Sequence, residues 1–518
     1  MTAIQTQQEA KKKDLLRYNE YYDTQHIFDD LYQKGKANRK LKNLLPIITT
    51  EQNILLAYRT IKNNKGSKTA GVNGHTIDYW ANKTNKELIT YIRRRLANYI
   101  PQAVRRVYIP KGNGKTRPLG IPTIEDRLIQ QCIKQVLQPV LESKFHFNSY
   151  GFRPNRRAEH AISTLVRVVN ISKAHFVVDI DIKGFFDNVE HGKLLKQLWG
   201  LGIHDKRLLS VISKLLKSEI QTVGFPEKGT PQGGILSPLL SNVVLNELDW
   251  WLSNQWLTFK TKRPYSNKKG KDNYSRYRAL RRGSLKEFYF VRYADDFKII
   301  CKDLNTAKIM YKATQMWLKE RLGLEISPEK SKVTNLRKSP TEFLGFKMIA
   351  RKKGSKHVAH SNMSEKALRN AQRLLSKRLT AIQKHPTPQN VMKYNATVLG
   401  IQNYYKIATH VSLDMNKLEY LLFKRIRNRL KHVRTKTGIK SEAYKRIYES
   451  NPKDKVVSKK RKKKRKTTYV LGIAIFPIGK RKTVTPLGFT RQICNYTVEG
   501  RKLVHDSLKN QDMWLIHY

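Results

Sequence analysis

Two adjacent aspartates lie between two apolar runs in the segment FYFVRYADDFKIIC, residues 288–301. The aromatic and β-branched residues of FYFVRYA and FKIIC predict two buried strands, and the short connection between them predicts a tight hairpin carrying Asp295 and Asp296. Carboxylates repel one another and are costly to bury. Aspartate is also common in turns, so this segment alone leaves open an ordinary turn or a site for cations.

A second apolar segment, FVVDIDI at residues 176–182, brings further acids. Strand alternation places Asp179 and Asp181 on one face and the Val and Ile side chains on the other. Asp187 follows in KGFFDNV. Mg²⁺ prefers oxygen ligands, and two such ions can hold the attacking and leaving oxygens of a phosphoryl transfer. A strand and a hairpin that converge would build a site of this kind.

The composition favours a polyanionic partner. The 518 residues include 102 Lys and Arg against 40 Asp and Glu, a formal net charge of +62. Such an excess repels itself and suits nucleic acid, while 39% of apolar residues suffices for a folded core. Cys132, Cys301 and Cys494 are widely spaced, which is typical of a reducing compartment and argues against a zinc ribbon or a disulfide scaffold. No run of about 18 apolar residues predicts a membrane helix.

The segment between the two acidic ones, GTPQGGILSPLLSN at residues 229–242, supplies a third element. Gly233 and Gly234 let the backbone approach a ligand closely, and Gln232 offers an amide; an ordinary Gly/Pro turn before a helix is the alternative. In this order the three segments resemble the palm of reverse transcriptases. Because LGIQNYYKIAT at residues 399–409 also resembles a maturase signature, the chain is identified as a member of the group II intron-encoded reverse transcriptases and maturases.

The resemblance implies an α+β, right-hand polymerase fold. Residues 1–100 would form an N-terminal extension and the start of the fingers, and residues 101–358 the fingers and palm with an antiparallel sheet. Residues 359–437 would form an α-helical thumb or maturase domain. Residues 438–518, which include the basic run SKKRKKKRK at 458–466, would form a basic C-terminal DNA-binding region. Strand-like apolar stretches in residues 467–518 also predict a small folded unit there, whose role the sequence leaves open.

The resemblance also implies which groups bind metal and assist catalysis. Asp181 and Asp295 would be the principal ligands of two Mg²⁺ ions, with Asp296 assisting and the Ile182 carbonyl completing one shell. Lys330 matches the lysine that is proposed to protonate the leaving pyrophosphate, and a surface lysine is the alternative.

Two further acids are rival candidates for this site. Asp179 is interpreted as a neighbour of the site, because the family's catalytic acid directly precedes the Ile-Lys step. Asp187 follows a bulky pair and is interpreted as a cap of the following helix.

Deoxynucleoside triphosphates (dNTPs) are the substrates that the resemblance implies, and five residues would bind them. Phe186 stands where an aromatic side chain blocks the 2′-hydroxyl of a ribonucleotide, and a core phenylalanine is the alternative. Lys111 and Arg117, in the hairpin segment YIPKGNGKTRPLGIP, would hold the triphosphate. Gln232 and Gly233 would line the same site.

Other residues would bind template, primer or intron RNA by the same resemblance. They belong to the block SYGFRPNRR, the turn FLGFKM, the maturase signature and a helix predicted over 416–433, and are Arg153, Phe343, Gly345, Tyr404, Tyr405 and Arg427. The predicted helix has an apolar face of Leu418, Leu421, Leu422, Ile426 and Leu430. Its other faces are basic, as expected for a clamp on a nucleic-acid duplex.

The implied partners are the group II intron RNA, a DNA target or primer and an RNA–DNA duplex, without a membrane; a homodimer is left open. Cys494, His505 and His517 do not form the metal set of an HNH nuclease, so no functional nuclease is expected and a primer from a replication fork is hypothesised. A bacterial cytoplasm is expected, with nucleoid association on DNA, and an organelle is the alternative. Two rival functions are a splicing-only maturase with decayed polymerase activity and a retron-like defence reverse transcriptase.

Overall fold

A computed structural model describes residues 17–110, 116–267, 270–271, 273–449, 467–479 and 481–509. Lys111 and the basic run at 458–466 lie outside these ranges, so their predicted contacts stay predictions. Within the described ranges, no helix is both long and apolar enough to cross a membrane.

An amino-terminal group of helices forms one side of the molecule. Along the described residues, six helices precede the first strand: α1 (Tyr18–Tyr21), α2 (Gln25–Lys36), α3 (Leu44–Ile48), α4 (Glu51–Lys62), α5 (Ile77–Ala81) and α6 (Asn85–Ala97). In α4, Ile54, Ala57 and Ile61 recur at helical spacing and are buried. The apolar faces of α2, α3 and α4 pack on the long helix that follows the first hairpin.

That hairpin and two long helices link this group to the central sheet. Strands β1 (Arg105–Pro110) and β2 (Thr116–Ile121) pair antiparallel, as the sequence predicts. Helix α7 (Ile124–Glu142) begins after Thr123, whose hydroxyl accepts from the Asp126 N–H. Helix α8 (Ala158–Ile171) follows. Most of α7 is buried, so it forms the spine of this half of the molecule.

Four described strands form an antiparallel central sheet in the order β6-β7-β3-β8. In chain order, the strands and helices of this region are β3 (Phe176–Ile180), α9 (His191–Gly200), α10 (Lys206–Leu216), α11 (Ser237–Gln255), β4 (Ser266–Asn267), β5 (Gly270–Lys271), α12 (Asn273–Arg281), β6 (Phe288–Tyr293), β7 (Asp296–Cys301), α13 (Leu304–Trp317) and β8 (Lys332–Asn335). The predicted acidic strand and hairpin are confirmed. Helices α8, α11 and α13 pack against the sheet, which explains why its strands read as continuous apolar runs.

A second sheet and three long helices come next. Strands β9 (Thr341–Phe343), β10 (Phe346–Lys353) and β11 (Lys356–Met363) pair antiparallel in the order β11-β10-β9. Helices α14 (Glu365–Lys384), α15 (Pro388–Tyr405) and α16 (Val411–Arg429) pack together. The helix predicted over 416–433 is α16, and Leu418 and Leu422 are buried in it as expected. Leu421 is 39% exposed, because one residue before Leu422 turns it about 100° off the buried face.

The described C-terminal residues pack back onto the rest of the chain. They form β12 (Arg434–Thr435), α17 (Glu442–Tyr448), β13 (Tyr469–Val470), β14 (Ile473–Ala474) and α18 (Val498–Lys509). Strand β12 pairs with β13 across the boundary predicted at residue 438. Asn395 in α15 bonds the Ala474 carbonyl at 3.0 Å and the Phe476 N–H at 2.8 Å. Residues 467–479 therefore pack on the helical unit across the predicted boundary, and the small folded unit expected within residues 467–518 stays a prediction.

The C-terminal segment, residues 481–509, runs from the end of α15 across α8 to α2. Its Thr483 hydroxyl donates to the Ala408 carbonyl at 3.1 Å, and its Leu487 N–H donates to Glu159 Oε1 at 3.1 Å. Further along, Arg501 forms an ion pair with Asp29 at 2.7 Å. The segment thus ties together parts of the chain that are distant in sequence.

Three buried histidines predict that acid destabilises the fold. Burial and nearby cations lower the pKa of His146 to about 3 and those of His160 and His175 to about 4. The unfolded chain binds protons at these sites below the ordinary pKa of 6.5, whereas the native chain binds them only below a pH of about 4. We expect the free energy of unfolding to fall by on the order of a few kcal/mol between pH 6.5 and 4, measured by urea denaturation.

His146→Gln tests the cause of that loss. The Asn148 N–H donates to His146 Nδ1 at 3.1 Å, and Nε2 lies 2.9 Å from the Ser253 hydroxyl, so a second ring proton would meet a donor. The variant should be less stable at pH 7 but lose less stability on acidification. The exposed control His385→Gln should keep the wild-type pH dependence, and an unchanged slope in His146→Gln would contradict the assignment.

Candidate active site

The sheet register brings the acids of two strands to one end of the sheet. Ile180 of β3 pairs with Phe297 of β7, so Asp181, the next residue, lies opposite Asp296. Asp295 lies in the two-residue connection between β6 and β7. The structure therefore brings together the three acids that the sequence singled out.

The hairpin turn is held from below by a buried ion pair. Arg292 in β6 donates from Nε and one terminal nitrogen to the two carboxylate oxygens of Asp249 in α11, at 2.7 and 2.6 Å. Its other terminal nitrogen donates to the Ala294 carbonyl at 2.7 Å and to Asn242 Oδ1 at 3.0 Å. Ala294 has φ +59°, a conformation that costs a non-glycine residue energy. These bonds stabilise the strained turn.

The carboxylates at this end of the sheet repel one another. Partial burial raises the pKa of Asp296, and three nearby carboxylates raise it further against the opposing charge of Lys298. Those carboxylates belong to Asp179, Asp295 and Asp181. A positive charge placed among them would therefore be favoured.

A loop between α13 and β8 surrounds Asp181. The Asp181 N–H donates to the Ser331 hydroxyl at 3.1 Å, and the Ser327 N–H donates to the Asp181 carbonyl at 2.8 Å. Lys330 Nζ donates to Asp181 Oδ2 at 3.1 Å, with both side chains well exposed. Ile182 is buried and forms a bridge with Ile326. The loop thus fixes the backbone on both sides of the predicted metal ligands.

The carboxylates fit a hard divalent cation in chemistry. The side chains of Asp181 and Asp296 are 46% and 45% exposed, and carboxylate oxygens are the ligands that Mg²⁺ prefers. Within the described part of the chain, no three acids, histidines or cysteines already form a shell around one point. Because the Lys330 ammonium rests on Asp181 through an exposed contact, a cation can replace it at little cost.

Asp179 is the neighbour that the sequence analysis expects. Its side chain is 8% exposed and its Oδ1 lies 2.7 Å from Lys298 Nζ. The Thr341 hydroxyl donates to its two oxygens at 3.0 and 3.1 Å. Its contacts are with Lys298 and Thr341 and its side chain is buried, which favours the interpretation of Asp179 as a neighbour of the site.

The interpretation of Asp187 as a helix cap is wrong. Helix α9 is capped by Glu190, which accepts from the N–H groups of Gly192 and Lys193. Asp187 instead accepts from Gln232 Nε2 at 3.2 Å, and Arg117 Nε donates to Gln232 Oε1 at 2.8 Å. The structure therefore joins two predicted nucleotide-binding residues in one exposed chain of hydrogen bonds.

Gly233 anchors this chain against strand β2. The Gly120 N–H donates to the Gln232 carbonyl at 2.7 Å. Gly233 has φ +124°, and a Cβ there would lie 2.3 Å from the Gly120 oxygen. Only glycine fits this approach.

Phe186 stands at the edge of the core. Phe185 is 2% exposed and fills the core position, whereas Phe186 is only partly buried and meets Phe185 edge to face at 5.3 Å. The Thr230 N–H donates to the Phe186 carbonyl at 2.7 Å. Phe185 is thus part of the core, whereas the ring of Phe186 is accessible from the surface.

The expectation that Arg153 binds template or primer is wrong. Its side chain is 2% exposed and forms a two-pronged ion pair with Glu142 at 2.9–3.1 Å. Its remaining terminal nitrogen donates to the carbonyls of His146 and Ser149. With its donors used inside the fold, Arg153 holds a loop in place.

The side chain of Phe343 also cannot contact a primer, because it is 2% exposed in β9. The turn that follows is tied to the signature of α15: the Tyr404 hydroxyl donates to the Leu344 carbonyl at 3.0 Å. Gly345 has φ +79°, and a Cβ there would lie 2.8 Å from the Tyr405 hydroxyl. The turn and the two tyrosines therefore form one unit, with Tyr404 44% exposed.

Arg427 lies on the exposed side of α16. It lines a cavity of about 620 Å³ beside two prominent aromatic side chains, Tyr420 at 82% and Phe423 at 59% exposure. This site is separate from the carboxylate cluster, and its mixture of arginine and aromatic side chains suits nucleic acid.

Sequence reasoning missed three charged groups that lie beside the acids or their hairpin: Arg292, Asp249 and Lys298. The signal for Lys298 was present, since it is a charged residue inside the apolar run FKIIC. The Arg292–Asp249 pair joins residues far apart in sequence and had no local signal.

Comparisons with known proteins identify the class of polymerase to which this region belongs. A family model described as reverse transcriptase (RNA-dependent DNA polymerase) matches residues 109–348, which contain Asp181, Asp295 and Asp296. The fold and the site thus define a nucleic-acid polymerase of the reverse transcriptase class.

Curated relatives narrow the class. The chain is 32% identical to Protein YkfC of Escherichia coli strain K12, over 63% of this chain and 89% of that protein. It is 30% identical to the group II intron-encoded protein LtrA of Lactococcus lactis subsp. cremoris, over 71% of this chain and 70% of that protein. A putative COX1/OXI3 intron 1 protein of Saccharomyces cerevisiae is 25% identical, over 82% of this chain and 56% of that protein.

The chain therefore belongs to the group II intron-encoded reverse transcriptases and maturases. Its enzymatic activity is RNA-directed DNA synthesis, and its maturase function accompanies that activity.

Gly233→Ala should strongly lower the rate of primer extension without unfolding the chain. The added methyl group must push the Gln232 turn away from β2, and a displacement of about 1 Å at a reacting centre costs on the order of 10²-fold in rate. Primer extension on an RNA template measures the loss, and circular dichroism checks the fold. Gly200→Ala, where a Cβ meets nothing within 4 Å, is the matched control; equal activity of both variants would contradict the close approach.

Proposed function

We propose that Asp181, Asp295 and Asp296 carry a two-Mg²⁺ nucleotidyl transfer that extends a 3′-hydroxyl with dNTPs. The proposal is carried by one observation: the sheet register brings these three acids to one end of the sheet. When bound, the two ions would neutralise the triphosphate and stabilise the attacking and leaving oxygens. The carboxylates hold that positive charge in place, and the Ile182 carbonyl is the proposed backbone ligand beside Asp181.

Lys330 would act at the leaving group. Its exposed ammonium lies 3.1 Å from Asp181 Oδ2. After the ammonium moves away from Asp181, it is close enough to reach a pyrophosphate bound beside the same carboxylate. In this position it can donate a proton to the leaving oxygen.

The nucleotide would bind between Arg117, Gln232 and Phe186. Arg117 and Gln232 share a hydrogen bond of 2.8 Å, and the planar guanidinium of arginine suits phosphate oxygens. Gly233 keeps the turn against β2, and Lys111 is proposed to add a second cation from the same hairpin. Phe186 would lie under the sugar and exclude a 2′-hydroxyl.

The region 359–437 would serve as thumb and maturase domain and bind the group II intron RNA that encodes the protein. The contact between Tyr404 and the Leu344 turn supports a link between this region and the primer end. Arg427, with its aromatic neighbours on α16, would contact RNA or the RNA–DNA duplex. The proposed divisions at residues 100, 358 and 437 follow the same scheme, although residues 467–479 pack with the third region.

A DNA target would be bound by the basic region 438–518, chiefly through the charges of SKKRKKKRK. Together these activities would allow the intron to be spliced and copied into DNA during retrohoming, in a bacterial cytoplasm and on the nucleoid. The proposal leaves open whether the protein acts as a monomer or as a homodimer.

Asp295→Ala should abolish primer extension and spare splicing. Losing a metal-binding carboxylate removes several kcal/mol of transition-state stabilisation, roughly a thousandfold in rate. Extension of a DNA primer on intron RNA with Mg²⁺ and dNTPs is compared with splicing of the parent intron at low Mg²⁺. The exposed surface acid Asp30, which pairs with Lys34 on the same helix, gives the control Asp30→Ala. If Asp295→Ala extends primers normally, the proposed site is wrong.

Phe186→Ala should admit ribonucleotides. Removing the ring opens space for the 2′-hydroxyl, so the preference for dNTPs over ribonucleotides should fall by roughly 10- to 100-fold. Single-nucleotide incorporation kinetics with dGTP and GTP measure the ratio. Phe185→Ala is the matched control, since loss of the buried ring should lower stability and leave the ratio alone. A ratio that changes only in Phe185→Ala would reverse the assignment.

A further inference from the structure

We infer that Lys298 is a positioning residue that holds Asp296 at the catalytic end of the sheet and sets how strongly the carboxylates bind a divalent cation. The inference rests on the proposed function, because it concerns the same metal site. Nothing in the family resemblance or in the comparisons assigns a role to Lys298.

Lys298 lies inside the sheet rather than on its surface. It belongs to β7, two residues after Asp296, and pairs in register with Asp179 of β3. Its side chain is 8% exposed, and its strand neighbours Phe297 and Ile299 are fully buried. A buried ammonium is costly unless it is paired.

The pairing of Lys298 is uneven. Its Nζ lies 2.7 Å from Asp179 Oδ1 but 3.7 Å from Asp296 Oδ1, and it also lies 5.4 Å above the Phe343 ring. The Thr341 hydroxyl donates to Asp179 and so fixes that carboxylate from β9. The Lys298 ammonium is therefore bound mainly by Asp179, and its electrostatic attraction to the more distant Asp296 carboxylate is weaker.

Two sets of substitutions in this arrangement should change the affinity for a divalent cation in opposite directions. In Asp179→Asn the ammonium loses its nearest counter-charge, so it should turn to Asp296 and neutralise part of the charge that faces the cation. In Lys298→Met with Asp179→Asn the whole pair is neutral, so Asp296 keeps its full charge but loses the group that orients it. The first variant should bind divalent cations more weakly than the native protein, and the second more tightly.

A binding measurement tests this without turnover. Electron paramagnetic resonance of free Mn²⁺, titrated into the full chain without dNTP, gives the dissociation constant. We expect it to rise roughly three- to tenfold in Asp179→Asn and to fall by a similar factor in the double variant. Primer extension by the double variant should nevertheless be slower in kcat, because Asp296 is no longer held, while the KM for dNTP changes little.

Control variants separate this role from folding. Lys298→Arg keeps the positive charge, so its dissociation constant should stay closer to the native one than those of Asp179→Asn and the double variant. Should the double variant not fold, as judged by thermal melting, Lys298→Gln with Asp179→Asn offers a neutral pair that can still hydrogen-bond. Shifts in the same direction for the single and double variants, or no shift in either, would overturn the inference.

The proposed function fails separately. If Asp295→Ala removes Mn²⁺ binding while the Lys298 variants leave it unchanged, the metal site stands and the role of Lys298 is wrong. If Asp295→Ala leaves Mn²⁺ binding intact, the metal site itself is misplaced, and the inference falls with it.

Discussion

The buried ion pair between Arg292 and Asp249 is the interaction on which the catalytic end of the molecule depends. Both side chains are 1% exposed, and the guanidinium also holds the Ala294 carbonyl. Breaking a buried pair leaves an uncompensated charge and costs about 3–5 kcal/mol. The pair joins β6 to α11, so it fixes the hairpin in the frame that carries the Gln232 turn. Gly151 closes the other side, since a Cβ there would lie 2.3 Å from the Ala294 nitrogen. The strained turn and its acids are thereby held from two directions.

Two lysines balance the acids in different ways, and the difference follows from burial. Lys330 and Asp181 form an exposed pair, 63% and 46% exposed, which water and ions can replace at little cost. Lys298 and Asp179 form a buried pair, each 8% exposed, whose separation would leave charges without water. One lysine can therefore move during a catalytic cycle while the other remains part of the framework. Although the chain has a net charge of +62, the lysine that contacts Asp181 can be displaced, so the carboxylates can still bind a cation.

Local patterns were enough to predict the strand, the hairpin and the glycine turn of the site, because each is encoded by neighbouring residues and by their order. The sequence could not show that Arg153 spends its donors on Glu142, or that Phe343 faces the core, since both depend on packing between distant elements. The cap of α9 was misassigned for a smaller reason: Asp187 and Glu190 are both acids near the helix start, and only the register of the helix decides between them. Lys111 and the run at 458–466 lie outside the described residues and keep their predicted roles untested.

The C-terminal segment covers part of an arginine-rich block that would otherwise be a candidate surface for binding intron RNA. The sequence SYGFRPNRR is rich in arginine, yet Arg156 stacks on Phe489 at 4.1 Å, and Arg491 stacks on Phe147 at 3.6 Å. Arg156 is partly buried, and burial and neighbouring cations lower the pKa of its guanidinium to about 10. Two of the three arginines of that block are therefore engaged within the protein, Arg153 with Glu142 and Arg156 with Phe489 of the C-terminal segment. The exposed face of α16, where Arg427 stands beside Tyr420 and Phe423, offers cations and rings that no described segment covers to the same extent, and this favours the helical region over the arginine-rich loop as the main RNA contact.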